Sequence, residues 1–123
     1  MQLFKAAELV TFTDARGKII NLIPAGLTFA SALYVDGVEG AVRGNHYHAK
    51  DSHLSYVLSG RIRYEWEDDG KVSSVELWPG DAVYTRPTEK HRFTFLSDGA
   101  FIALATEPRD QTNYENDTYR ENF

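Results

Sequence analysis

Three of the four histidines in the chain, His46, His48 and His53, fall within eight positions, and the fourth is His91. Imidazole titrates near neutrality, so a cluster of this kind can take and give protons or, uncharged, hold a metal ion through a ring nitrogen. Alternate residues of a β-strand share a face, so His46 and His48 present two imidazoles side by side while Tyr47 turns away. Such a pair can share one ion. The chain has no cysteine, which excludes thiolate ligation, a disulfide framework and a cysteine nucleophile, and leaves nitrogen and oxygen donors for any metal. Asp51 has the strand parity of His53 and is a reserve carboxylate ligand if the loop bulges.

The spacing Gly40-x5-His46-x-His48-x4-His53-x6-Gly60 resembles the first motif of the cupins, with His53 where that family usually carries glutamate. Pro79-Gly80-Asp81, followed by Arg86-Pro87 and His91, resembles the second motif, and together the two cover residues 40 to 95. The resemblance implies an all-β fold, the jelly-roll or double-stranded β-helix barrel, whose interior brings both motifs together. It further implies that His46, His48, His53 and His91 hold one divalent transition metal as a four-nitrogen site. Imidazole donors suit zinc, nickel, copper or iron better than magnesium or calcium, with manganese the remaining candidate. Replacing a carboxylate by a neutral ring leaves more charge on the ion and strengthens its Lewis acidity.

Asp14-Ala15-Arg16-Gly17 and Val42-Arg43-Gly44-Asn45-His46-Tyr47 resemble a narrower group, the nucleotide-sugar cupins: dTDP-4-dehydrorhamnose 3,5-epimerases and 3,4-ketoisomerases. By motif, that resemblance makes Arg16 and Arg43 substrate-binding residues and His46 a catalytic base. The chemistry is coherent, because a keto group acidifies neighbouring C–H bonds and an imidazole can remove such a proton. An arginine fork suits a diphosphate. The epimerases need no metal at the base, and His46 cannot be ligand and free base at once. The segment around Arg43 to His48 is also similar to the metal-binding cupin domain of some UDP-sugar reductases, where an ion would polarise the carbonyl and a tyrosine would move the proton. Tyr56, Tyr64 and Tyr84 are the tyrosine candidates by position.

Short strands must position these groups. Alternating or apolar stretches separated by turn residues predict strands at Leu9 to Thr13, Lys18 to Ile23, Phe29 to Val35, Ala41 to His48, Leu54 to Leu58, Arg61 to Glu67, Ser73 to Leu77, Ala82 to Thr85, Arg92 to Leu96 and Phe101 to Thr106. Asp69-Gly70 marks a hairpin turn, and Ile62, Tyr64 and Trp66 before it form the apolar face of a strand whose other face carries Arg61, Arg63 and Glu65. With 123 residues, of which 42% are hydrophobic, one domain is expected: a barrel over about 5–107 and a polar tail over 108–123. Tyr114 and Tyr119 interrupt that tail, which is either loosely held or packed by its tyrosines over the barrel mouth or a partner subunit.

A net charge of −5 offers no basic footprint for nucleic acid or an anionic membrane, and no apolar run is long enough to span one. The expected setting is the cytoplasm, the expected partner a small molecule, and the expected assembly a homodimer through the amino-terminal strands. The expected activity is metal-dependent isomerisation or epimerisation of a keto-sugar or sugar nucleotide through an enediol. An iron, copper or manganese dioxygenase or oxidase is the alternative, and a non-catalytic sugar-binding cupin the third reading.

Overall fold

The computed structural model describes residues 1–23, 27–108, 110–121 and 123, with the backbone alone at Gln111. Two five-stranded antiparallel sheets face each other. The first contains, in spatial order, β1 (Gln2–Phe4), β9 (Ala82–Thr85), β6 (His53–Ser59), β11 (Gly99–Ala105) and β4 (Ser31–Gly37). The second runs β12 (Thr118–Arg120), β5 (Val42–His48), β10 (His91–Phe95), β7 (Ile62–Asp68) and β8 (Lys71–Leu77). A separate hairpin, β2 (Val10–Asp14) with β3 (Gly17–Ile20), follows the short helix α1 (Ala6–Leu9), and α2 (Gln111–Asn116) precedes β12.

The period-two pattern of β7 explains how the sheets meet. Ile62 and Tyr64 are fully buried while Arg63 is exposed. Asp69 and Gly70 adopt φ of 50° and 77°, so the turn to β8 has the positive-φ geometry its dipeptide favours. Between the sheets Phe93 stacks on Phe101 at 4.7 Å, with Phe95, Val57, Leu77 and Val83 around them. A smaller apolar cluster, Leu9, Leu54 and Ala82, lies on the outer face of the first sheet, joined by Phe4 and Ile20 from the amino-terminal elements.

Most expected strands are present within a few residues. Lys18 to Ile23 is shorter than expected, ending at Ile20 in β3, because the partner strand β2 begins at Val10: the Asn21 N–H still donates to the Leu9 carbonyl, but Leu9 already belongs to α1. The short elements β1, β12, α1 and α2 carry too few residues to show a period in sequence. The polar tail is built into the barrel: β12 pairs with the edge of β5, and Tyr119 stacks on Tyr47 at 4.9 Å.

Candidate functional site

The two inner faces converge at one end of the barrel. His46 on β5 sits directly opposite His91 on β10, while His53 opens β6 on the facing sheet, paired with Thr85 and Ala105. All four histidines are at most 9% exposed. Ring centroids are 4.6 Å apart for His46 and His48, 4.8 Å for His46 and His91, 5.1 Å for His53 and His91, and 5.9 Å for His48 and His53. Among the described residues, two groups have ligand atoms within 4.8 Å of one another: His46, His48 and His91, and His48, Asp51 and His53. The reserve ligand Asp51 is thus in one of them, and His48 belongs to both.

Two of the rings are oriented by backbone carbonyls. Nδ1 of His48 lies 3.0 Å from the Asp117 oxygen, and Nδ1 of His91 lies 2.9 Å from the Glu89 oxygen. A carbonyl only accepts, so each Nδ1 carries a proton, and in the neutral ring Nε2 keeps the lone pair. Carbonyl-oriented imidazoles of this kind are the usual support of a metal ligand or a general base.

Arg43 joins this set through a backbone irregularity. Arg43 is opposite Phe93 and His46 is opposite His91, but the pairing shifts between them, leaving Asn45 as an extra residue. Gly44 and Asn45 accommodate the bulge at φ of 103° and 59°. Both side chains therefore line one cavity of about 200 Å³, with His53, His91, Phe93 and Tyr114 among its other walls. The Arg43 guanidinium also donates 3.0 Å to the carbonyl of Asp36.

The other sequence candidates do not line this cavity. Arg16, 88% exposed at the tip of the β2–β3 hairpin, is paired with Asp14 at 2.6 Å and does not line the cavity. Its guanidinium holds the Asp14 carboxyl below the ordinary range. Tyr56 and Tyr84 alternate with the inward residues of β6 and β9, so they pack into the cluster on the outer face of the first sheet. Tyr64 is fully buried beside His91 at 6.2 Å between ring centroids, and bonds Thr85 and Glu89 at 2.7 Å each. Burial, then the Glu89 charge, push its hydroxyl well above the usual tyrosine value. The tyrosine on the cavity is Tyr114 of the tail, edge-on to His46 at 6.3 Å.

Residues 34–107 match the family model described as Cupin domain. The chain belongs to the cupin family. No curated protein matches this cupin. Among solved structures it is similar to the sugar 3,4-ketoisomerase QdtA from Thermoanaerobacterium thermosaccharolyticum in complex with TDP, at 20% identity and TM-score 0.79, covering 98% of this chain and 87% of that one. It is also similar to the dTDP-4-dehydrorhamnose 3,5-epimerase from Sulfolobus tokodaii, at 21% identity and TM-score 0.70, covering 85% and 69%. The capsular polysaccharide assembling protein CapF from Staphylococcus aureus is similar at 18% identity and TM-score 0.68, over 94% of this cupin and 34% of CapF. At these identities the likeness concerns the fold. No helix among the described residues is long and apolar enough to cross a membrane.

Proposed function

We propose that this cupin is an isomerase or epimerase of a keto-sugar carried on a nucleotide. The observation that carries the reading is the cavity itself, where His46, His53 and His91 share their walls with Tyr114 and, at the exposed rim, Arg43, among otherwise apolar residues. Removing a proton beside a ketone needs a base of near-neutral pKa, and the enediolate that forms needs a cation or hydrogen-bond donor. Imidazole and guanidinium supply both. Fold likeness to a ketoisomerase holding TDP and to a dTDP-sugar epimerase supports the same substrate class.

In this reading His46 takes the proton from the carbon next to the carbonyl. His91, its Nδ1–H tied to the Glu89 carbonyl, offers the Nε2 lone pair to the same space. Return of a proton to the same carbon from the other side gives an epimer; return to the former carbonyl carbon, with the hydroxyl proton of the first carbon passing to the former carbonyl oxygen, moves the ketone. Tyr114, across the cavity from the first sheet, replaces Tyr56, Tyr64 and Tyr84 as the phenol placed to share that transfer. Arg43 binds the anionic portion of the substrate.

The donor set also fits a divalent metal. His46, His48 and His91 would hold it, with His53 and Asp51 as adjoining donors, and the carbonyl-bound Nδ1 atoms leave Nε2 of His48 and His91 for ligation. Such an ion would supply Lewis-acid polarisation of the carbonyl. Incubation with TDP-4-keto-6-deoxyglucose in D2O, the ligand of one ketoisomerase of this fold, tests the proposal. Deuterium should enter at a carbon adjacent to the ketone. Exchange that survives chelation assigns the base to an unligated His46; exchange lost to chelator and restored by metal assigns the histidines to ligation. Oxygen uptake without exchange would instead establish the oxidase alternative.

A further inference from the structure

His48 ends β5, and the turn after it must bring the chain across to His53 on the other sheet. Three successive amides of that turn are held by one residue, sixty-six positions beyond Asp51 in sequence. The Asp117 carboxylate accepts the N–H groups of Ala49 at 3.0 Å, Lys50 at 3.1 Å and Asp51 at 2.9 Å, three consecutive amides gathered on two oxygens. The carbonyl of the same residue accepts the Nδ1–H of His48 at 3.0 Å. Asp117 itself is fixed from both sides: its N–H caps α2 by donating to Asn113 and Tyr114 carbonyls at 3.3 Å, and Thr118 behind it pairs with His48 in the β12–β5 ladder.

We propose that Asp117 is a positioning residue for the histidine site, setting the tautomer and orientation of His48 through its carbonyl and locking the carbonyl in place through its carboxylate. The two functions are mechanically linked. A carboxylate on three amides cannot slide without losing charge-assisted hydrogen bonds, so the carbonyl one bond series away stays aimed at the ring. With Nδ1 protonated and the ring neutral, Nε2 of His48 carries the lone pair, whether it binds an ion or accepts a proton from its neighbour His46. Loss of an outer-shell partner of this type lowers metal affinity about 10–100-fold where it has been measured. Because α2 also carries Tyr114, the segment that orients His48 is the one that closes the cavity.

The inference rests on reading His48 as a member of the functional set, and its test separates the two. Long-range 15N–1H spectra of the metal-stripped full chain, taken where the imidazoles are neutral, should show His48 as the Nδ1–H tautomer. Asp117→Ala should shift it toward a mixture, and zinc titration of the same protein should show affinity reduced about 10–100-fold. If Asp117→Ala does not fold, Asp117→Asn serves: it sets an NH2 against amides that an oxygen accepted, and should change the spectrum in the same direction. A His48 tautomer that still shifts in a protein that takes up no zinc leaves the positioning role standing and removes the metal. Unchanged tautomer and zinc affinity in a variant that merely melts at lower temperature would overturn the proposal.

Discussion

Arg43 and His46 line the same cavity although they stand three positions apart in β5, an odd spacing that a regular strand would split between its two faces. The bulge at Gly44 and Asn45 reverses the parity. Its tolerance for a side chain is low: a Cβ on Gly44 would stand 2.8 Å from the His91 carbonyl oxygen and 3.0 Å from Cα of Arg92, at a φ of 103°. Gly44→Ala should therefore destabilise the protein by about 1–3 kcal/mol and push β5 away from β10. Urea unfolding checks the first effect, and loss of nucleotide-sugar binding out of proportion to lost stability checks the second.

Arg43→Ala should weaken binding of TDP by roughly 1.5–3 kcal/mol, the worth of a charged hydrogen bond, while metal uptake and melting temperature stay near those of the parent protein. The exposed position of Arg43 and its single bond to a backbone carbonyl make it dispensable for folding. Calorimetric titration with TDP is the direct measurement. Equal affinity in parent and variant would remove Arg43 from the substrate site.

How much of this was legible before the fold was known follows from the physics of each feature. Strand parity places His46 and His48 on one face, and motif spacing brings in His53 and His91, because both are local patterns with a period. The bulge has no such signature: Gly44-Asn45 reads equally as a turn, and only the register against Arg92 shows that one residue is skipped. Tyr56 and Tyr84 looked suitable as phenols because sequence gives their alternation but not which alternate face meets the cavity. Tyr114 carried a cue, an aromatic in a polar tail, whereas Asp117 carried none, since its partners at residues 48 to 51 lie across the whole barrel in sequence.

If the chain pairs as a homodimer through its amino-terminal strands, the contact expected is the β2–β3 hairpin, which joins neither large sheet and leaves Phe12 at 51% and Ile19 at 61% exposure. Sedimentation should give twice the 13.9 kDa of one chain. Phe12→Asp should move the protein toward monomer, because a stable two-fold interface buries at least about 1,000 Å² and does not accept an unpaired carboxylate at its centre. A monomer at micromolar concentration in the parent protein would refute the expectation.

Glu65 and Arg92 face each other across β7 and β10, bonded at 2.7 Å and 3.1 Å on the outer side of the strand that carries His91. The Arg92 hydrogen bonds hold the Glu65 carboxyl below the ordinary range, and the same pairing raises Arg92. A depressed folded-state pKa contributes stability that is complete above the unfolded value, near 4.3, and is lost as pH falls through the folded value. Glu65→Gln should thus lower stability by about 0.5–1 kcal/mol at pH 7 and by progressively less below pH 4, contact of the pair with solvent keeping the effect small. Melting curves of both proteins across that range should converge at the acid end.

The two overlapping ligand groups give the four-nitrogen reading a graded test. His48 is common to His46, His48 and His91 on one side and to His48, Asp51 and His53 on the other, whereas His53 belongs only to the second. If one ion is shared by all four imidazoles, elemental analysis of the purified protein should give about one transition-metal ion per chain, with nitrogen distances near ~2.0–2.1 Å for zinc by X-ray absorption. His48→Ala should then cost the most metal, because it removes a donor from both groups, and His53→Ala should lower occupancy while leaving His46, His48 and His91 able to bind more weakly. His53→Ala with undiminished metal content would limit the site to three imidazoles. Asp51→Asn would extend the test: a further fall in metal content would bring that carboxylate into the ligand set, which its bonds to Thr106 at 3.3 Å and to the Glu107 N–H at 3.2 Å otherwise assign to holding the turn.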